Sequence, residues 1–514
     1  MKDTPSRRRV HISADDPSLT GCAGLMLSGE LAHRLELVGR LDTAIDAVRE
    51  FKQRRRGRSA GELLVSLAEM ILTGGSHLAH LEVLRQDAAG AELRAVAAVP
   101  PPSTAGQLLR RLNRRQCQAA ITALAAAGNG FDKDHRLDPG APVSLDLDAT
   151  GTEVYGRRKQ GAEFTYEGKR SYLSQFCTWS ERGRVLAAEL LRGKAAPSRS
   201  AVALVRRALE VLPAGHGPVS LRADSDYYIL DLLHFCRRRG VRFAVSVARS
   251  SAMWRALEGI AEDAWQQALE MPWAEVAETT YSPQGWRHEP LRLLIRRVRL
   301  DPQEVSRSPR ARRRRTIPAE QLVLALAGVV DVVYGYSFIL TDRAGSAVEE
   351  ELWQRRRAHV EERVRDEKSN GLIHLPLGTL RANSGWLVAT VLATNLMAML
   401  STTVREVARE AEVPPEFDPQ RDPAYRTSPV LRRWLILVPG RLVHRSRQLL
   451  LRLPRGWWWA EIFTATYHLA SAASGNPTAT GAQEARGFMQ VSEIPSVTTG
   501  RRAERGPGQA ALVR

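Results

Sequence analysis

Residues 143–150 read VSLDLDAT, and the fold class is predicted from this short stretch outward. Its apolar side chains, Val143, Leu145 and Leu147, alternate with polar ones, which is the period-two pattern of a β-strand. The same alternation places Asp146 and Asp148 on one face of the strand, about 7 Å apart. The stretch therefore predicts a core strand that presents two carboxylates side by side.

The pattern that follows this strand predicts an α/β fold. Two more strand-like runs come first, at 162–179 and 184–191. After them the apolar spacing predicts, in order, a helix at 200–212, a strand at 219–224, a helix at 229–240 and a strand at 241–247. The succession β-β-β-α-β-α-β implies three antiparallel strands followed by parallel crossovers.

The chain of 514 residues is long enough for several domains. Apolar residues at helical spacing predict one helix at 31–51 and further helices up to about residue 130, a region that fits either DNA binding or dimerisation. The predicted segments are a disordered N-terminus at 1–30, a helical DNA-binding domain at 31–135, a first core part at 140–248, an α+β insertion at 249–345, a second core part at 346–410, a basic segment at 411–474 with a hairpin at 431–454, and a disordered tail at 475–514.

Charge is the unusual feature of the composition. The chain has 74 Lys and Arg against 56 Asp and Glu, a net charge of +18. This balance favours a polyanionic partner such as nucleic acid, although membrane-surface and ribosome-associated proteins share it.

The four cysteines form no CxxC pair, which argues against a zinc finger or a disulfide framework. The longest apolar run, at 386–400, is too short for a membrane span and predicts a buried helix in a soluble, cytoplasmic protein without a membrane partner.

Three acids stand out by their positions. Asp148 lies near the end of the first core strand, Asp224 ends the strand at 219–224, and Glu361 follows the insertion. Acids at strand ends and on an adjoining helix can converge on one point, as Mg²⁺ requires. Taken singly, an aspartate at a strand end is more often a turn or helix cap. Asp146 shares the face of Asp148 and is either a supporting carboxylate or an alternative ligand.

The stretch around Glu361 reads RRRAHVEERVRDEK, at residues 355–368. Arg357, Glu361, Arg365 and Lys368 fall at helical spacing and share one face. A solvated helix decorated with ion pairs has the same pattern. From the residues alone, the acid either binds a metal beside phosphate-binding bases, or these side chains only pair with one another.

Four longer motifs resemble a known family. LDLDATGTEVYGRRKQGAEFTYEGKRSYL, LRADSDYY, YGYSFILT and RRRAHVEERVRDEKSNGLIHLP are similar, in that order, to the DDE transposases of bacterial insertion sequences. Within these, the chain resembles the insertion-sequence thirteen-eighty family of the insertion-sequence-four group. The resemblance runs from about residue 60 to about residue 473.

This resemblance implies a ribonuclease-H-like catalytic core with a β-rich insertion, preceded by a helical N-terminal domain. It also implies phosphoryl transfer on DNA by a two-metal mechanism with Mg²⁺ or Mn²⁺, in which transposon ends are cut and joined to target DNA. The family's Asp-x-Thr falls on Asp148, its Arg-x-Asp on Asp224, and its Arg-x3-Glu-x6-Lys on Arg357, Glu361 and Lys368. The three acids are expected to bind the metal. The bases are expected to bind phosphates of double-stranded DNA, in a homodimer that brings two ends together.

One position departs from the family pattern. Relatives usually have Tyr three residues before the arginine, and this chain has Gln354 with Trp353 beside it. We expect the Gln354 amide to contact the same DNA strand as Arg357, or Trp353 to replace the missing ring.

Other candidates have two interpretations each. Arg365 and the run Arg312, Arg313, Arg314 and Arg315 are expected to contact the DNA backbone, with solvated charge as the alternative. Trp254 and Trp286 could stack on an unpaired base, but core packing is the expected role.

The rival functions are a ribonuclease-H-fold nuclease without joining activity and an inactive, transposase-derived DNA-binding protein.

Overall fold

A mixed β-sheet forms the centre of the protein. The computed structural model describes residues 10–52, 56–165, 168–302, 305, 316–358, 368–411, 414, 418–420, 426–446 and 448–471. The strands are β1 (Leu19–Thr20), β2 (Val143–Glu153), β3 (Glu163–Phe164), β4 (Arg170–Trp179), β5 (Arg184–Arg192), β6 (Val219–Ala223), β7 (Arg242–Val247), β8 (Gln266–Gln267), β9 (Ala274–Tyr281), β10 (Leu291–Leu300), β11 (Val333–Thr341), β12 (Gly440–Arg445) and β13 (Gln448–Arg452).

Helices lie before, between and after these strands. In chain order they are α1 (Leu25–Arg34), α2 (Leu37–Val48), α3 (Ala60–Leu72), α4 (Leu81–Gln86), α5 (Ala88–Ala91), α6 (Pro102–Leu109), α7 (Arg114–Asp134), α8 (Ser198–Glu210), α9 (Leu230–Arg238), α10 (Ser251–Glu258), α11 (Ala319–Leu326), α12 (Ala347–Arg355), α13 (Leu380–Val407), α14 (Ser428–Leu431) and α15 (Ala460–Ser471).

Five strands form the predicted core, in the spatial order β5-β4-β2-β6-β7. β2 runs antiparallel to β4, and β4 to β5, whereas β2, β6 and β7 run parallel. α8 and α9 make the two crossovers. The order of the elements confirms the predicted succession, with the short β3 in addition. Val143, Leu145 and Leu147 are buried as their alternation predicts, each at most 1% exposed.

The strands of the insertion extend this same sheet. β11 pairs antiparallel with β7, β10 with β11, and β9 with β10. The sequence predicts strands at 291–300 and 332–341, close to the observed β10 and β11. Their union with the core sheet was not predicted, because strand pairing joins residues far apart in the chain.

α13 is the buried helix that the sequence predicts at 386–400. It is long and apolar enough to cross a membrane, but 83% of its most apolar window is buried inside the protein. Trp386 and Leu392 have no exposed surface, and the helix packs against α3, α7 and β5. α13 therefore joins the N-terminal helices to the edge of the core sheet.

Two expectations for the N-terminal part are wrong. The segment 1–30 is not disordered from Leu19 onwards, because β1 pairs with β12 and Leu25 is fully buried in α1. The single helix predicted at 31–51 is broken, since Glu36 adopts a left-handed conformation with φ 50° between α1 and α2. A continuous apolar spacing does not reveal such a break.

The C-terminal hairpin is present within the predicted 431–454. β12 and β13 pair antiparallel and, with β1, make a small separate sheet. The described residues all fall in one compact unit that ends at Ser471. The predicted tail at 475–514 lies outside the described residues.

Candidate active site

Two predicted acids lie beside each other at one edge of the parallel part of the sheet. β2 and β6 pair in parallel up to Leu147 and Ala223, so Asp148 and Asp224 are the next residues along the two strands. Asp148 lies inside β2, which continues to Glu153, and not near its end as predicted. The Asp224 side chain caps the following turn, because its Oδ1 accepts from the Asp226 N–H at 2.9 Å.

Arg357 reaches both acids from a third element. It lies in the 3₁₀ turn Arg356–Ala358 that directly follows α12. Its Nη2 is 2.6 Å from Asp148 Oδ1 and 3.5 Å from Asp224 Oδ2. The same nitrogen donates to the Leu147 carbonyl at 3.3 Å. Three residues predicted from separate motifs are thus brought to one point.

The electrostatics of this point favour an added cation. The pKa of Asp148 is raised to about 6, because burial and the neighbouring charge of Asp224 raise it more than Arg357 lowers it. Burial also raises the pKa of Asp226, with a further increase from Asp224. Positive charge is therefore the element that keeps Asp148 ionised near neutral pH.

A buried hydroxyl faces the same acids. The Tyr227 hydroxyl has no hydrogen-bond partner among the described residues, and neither has Arg357 Nε. Burial raises the pKa of Tyr227, and the charges of Asp148 and Asp224 raise it further. Two buried donors without partners, next to two carboxylates, are typical of a functional site.

A family comparison covers the strands that carry both acids. The family described as transposase DDE domain group 1 matches residues 2–309, more than half of the chain. The chain belongs to the DDE transposases. No curated protein matches it. A solved piggyBac transposase synaptic complex with hairpin DNA is similar at 10% identity and a TM-score of 0.38, over 94% of this chain and 87% of that one.

Glu361, the third predicted acid, lies outside the described residues. Glu361 and Arg365 belong to that part of the chain, as do Arg312, Arg313, Arg314 and Arg315, so their predicted roles stay predictions. Lys368 begins the π-helical turn Lys368–Leu372, and its side chain is not described either. Within the described ranges, no group of three His, Cys, Asp or Glu side chains could hold a metal ion.

Gln354 occupies an interior position in the transposase. It is 5% exposed, and its Nε2 donates to the Ala223 carbonyl at 3.0 Å. This placement contradicts the surface position that the predicted DNA contact requires. Trp353 is engaged as well, since the Arg343 guanidinium lies 3.9 Å and that of Arg222 4.9 Å from its ring centre. This face of α12 therefore contacts the Ala223 carbonyl and the guanidinium groups of Arg222 and Arg343.

Asp146, the alternative first ligand, is held inside the protein. Arg222 Nε lies 2.6 Å from Asp146 Oδ1, and Arg222 Nη2 lies 2.9 Å from Oδ2. The sequence interpretation missed Arg222. Its signal was available, because Asp146 and Arg222 each precede a predicted acid by two residues and have opposite charges.

The two tryptophans considered for base stacking, Trp254 and Trp286, pack against other side chains. Trp286 is 7% exposed, donates to the Glu289 carbonyl at 2.9 Å and stacks on His234. Trp254 makes edge contacts with the rings of Tyr336 and Phe338. The expected core packing is the role that their contacts support.

Proposed function

We propose that this protein is a DNA transposase that binds the terminal inverted repeats of its insertion sequence and catalyses strand cleavage and strand transfer. The observation that carries the proposal is the convergence of Asp148 and Asp224, each directly after the last paired residue of β2 and β6, with Arg357 reaching both. The strand order β5-β4-β2-β6-β7 supports a ribonuclease-H-like core. The quoted motifs support a member of the insertion-sequence thirteen-eighty family.

The donor set fits a divalent cation. Asp148 and Asp224 offer the carboxylate oxygens that Mg²⁺ and Mn²⁺ prefer, at a point where Arg357 already supplies positive charge. Asp148, Asp224 and Glu361 would bind the metal. When bound by these residues, divalent cations would supply positive charge to the attacking and leaving oxygens of an in-line phosphoryl displacement.

The remaining groups of the site act on the DNA. A guanidinium can bind a phosphate through two parallel hydrogen bonds, so Arg357 would exchange its carboxylate contacts for the scissile strand. The Tyr227 hydroxyl is a hydrogen-bond donor close to Asp148 and Asp224. Arg365, Lys368 and the run from Arg312 to Arg315 would bind phosphates farther along the duplex.

The working form would be a homodimer on double-stranded DNA in a bacterial cytoplasm. Two transposon ends must meet in one complex, and one protomer per end satisfies this requirement. The charge of +18 supports a DNA partner.

Carboxylate substitutions test the proposal. Asp148→Asn, Asp224→Asn and Glu361→Gln should each abolish Mg²⁺-dependent cleavage of end DNA while binding stays nearly unchanged, because the acids act as one unit. Asp231→Asn, at an exposed carboxylate on α9, is the control. Cleavage that survives in all three variants would refute the assignment. Cleavage by the wild type without joining would indicate a nuclease, and binding without cleavage an inactive DNA-binding protein.

A further inference from the structure

A buried charge pair lies one step behind the two acids. Asp146 on β2 and Arg222 on β6 are directly paired in the parallel register. Their side chains are only 1% and 5% exposed. Side chains two residues apart on a strand share a face, so this pair lies under Asp148 and Asp224.

The same arginine binds the third element of the site. Arg222 Nη1 donates to the Trp353 carbonyl at 2.8 Å, and its guanidinium lies against the Trp353 ring. Trp353 is on α12, four residues before Arg357. Asp146, Arg222 and Trp353, together called the Asp146 network, thus connect β2, β6 and α12, which position Asp148, Asp224 and Arg357.

We propose that the Asp146 network positions the cation-binding carboxylates and Arg357 relative to one another. This inference rests on the function proposed above. Asp146 acts through Arg222 and is not itself a ligand, because both of its oxygens accept from one guanidinium in a position that is almost fully buried.

The Asp146–Arg222 ion pair is better suited to fixing the position of its neighbours than to stabilising the fold. A buried ion pair often contributes no more to stability than apolar residues of the same size, because both charges lose their hydration. The planar guanidinium, however, binds a carboxylate through two hydrogen bonds in one orientation. With a third donor bound to the Trp353 carbonyl, the position of the end of α12 over the sheet is restricted to one arrangement.

Supporting groups of this kind have a measurable signature. Removing a residue that orients metal ligands typically lowers metal affinity roughly ten- to a hundredfold. We expect Asp146→Asn, Arg222→Gln and the double variant, which buries no unpaired charge, to weaken Mn²⁺ binding by that factor in the absence of DNA. The turnover number for cleavage of saturating end DNA should fall at least tenfold, and the Kd for end DNA should change less than twofold. Trp353→Leu, which keeps the charge pair, should show a smaller loss in the same direction.

A matched pair elsewhere provides the control. Arg184 and Asp132 form a buried ion pair, 4% and 9% exposed, between β5 and α7. Asp132→Asn should lower the Tm much as Asp146→Asn does, because each leaves one buried guanidinium without its carboxylate. With both variants assayed below their Tm, Asp132→Asn should retain Mn²⁺ affinity and turnover within twofold.

Three results would overturn the inference. The first is Mn²⁺ affinity and turnover within twofold of wild type in the double variant, and the second is an equal loss in Asp132→Asn. The third is a loss in Asp146→Asn that Arg222→Gln does not share, which would make Asp146 a ligand. A wild type that neither binds Mn²⁺ nor cleaves end DNA would instead refute the proposed function, and the positioning role with it.

Discussion

At the scale of single residues, Arg357 determines the charge state of the site. Burial and Asp224 raise the pKa of Asp148 above its usual value of 3.8, and Arg357 lowers it more than the Ala149 N–H does. Since the folded pKa, about 6, exceeds the usual one, the protonated form of Asp148 is favoured in the folded protein between these values. Cation binding requires the carboxylate, so affinity should rise with pH through about 6.

Arg357 lowers the pKa of Asp148, and its positive charge also lies where a cation would bind. Arg357→Gln separates these two effects. Without the guanidinium the pKa of Asp148 should increase, so the midpoint of Mn²⁺ affinity against pH should move upward. At high pH the variant should bind Mn²⁺ more tightly than wild type, because no resident cation competes. Titration calorimetry from pH 5 to 9 measures both quantities. Arg356→Gln, at an exposed neighbour paired with Glu270, should change neither. A midpoint that moves downward would contradict this account.

Gln354 gives a second prediction at this scale. A Tyr at this buried position must enter the space beneath α12, so Gln354→Tyr should lower the free energy of unfolding by about 1–3 kcal/mol through overpacking. Arg356→Tyr, on the exposed side, should stay within about 0.5 kcal/mol of wild type. Urea denaturation measures both. An unchanged stability, with tenfold faster strand transfer, would show that this end of the helix turns outward on DNA.

At the scale of elements, α3 contains a buried acid whose ionisation opposes folding. Glu69 is 1% exposed, and its Oε1 accepts from the Ala95 N–H at 2.7 Å. Burial raises the pKa of Glu69 from 4.5 to about 8, although the Ala95 N–H and Arg94 lower it. Between these values the folded state binds more protons than the unfolded state, so this carboxyl reduces stability as pH rises through that interval.

Glu69→Gln should remove this dependence. The unfolding free energy of wild type should fall relative to that of the variant from about pH 4.5 to about pH 8, and then stay parallel to it. Urea denaturation at several pH values gives the difference. Glu36→Gln, at a side chain that is 73% exposed, is the control and should track wild type. A difference that is constant with pH would mean that the pKa of Glu69 is not raised in the folded protein.

At the scale of the whole molecule, the net charge of +18 predicts a strong salt dependence of DNA binding. The logarithm of the association constant should fall linearly with the logarithm of salt concentration, with a slope of roughly 0.9 per neutralised phosphate. Replacing Arg312, Arg313, Arg314 and Arg315 with Ala should reduce that slope by roughly 0.9 for each arginine that contacts a phosphate. Fluorescence anisotropy on end DNA and on unrelated DNA measures it. An unchanged slope and affinity would make the run a solvated loop.

Local pattern determined much of this molecule. The order of the core elements was predictable because it depends on local pattern. Examples are the alternation at Val143, Leu145 and Leu147 and the helix and strand runs after it. The motifs singled out Asp148, Asp224 and Arg357 before any geometry was known. The parallel pairing of β2 with β6 brings Asp148 close to Asp224. The contacts of Arg357 with both acids depend on where the end of α12 packs.

The contacts between distant segments follow from the packing of the whole chain. The pairing of β11 with β7 joins the insertion to the core sheet, and no local pattern encodes it. The direction of α12 buries Gln354, although the helical spacing alone placed it with Arg357 towards the DNA. Asp146 and Arg222 are 76 residues apart, and their ion pair exists because β2 and β6 lie in register. Such contacts depend on which packing of the chain buries the most apolar surface while its buried charges are paired. That packing is a property of the whole chain.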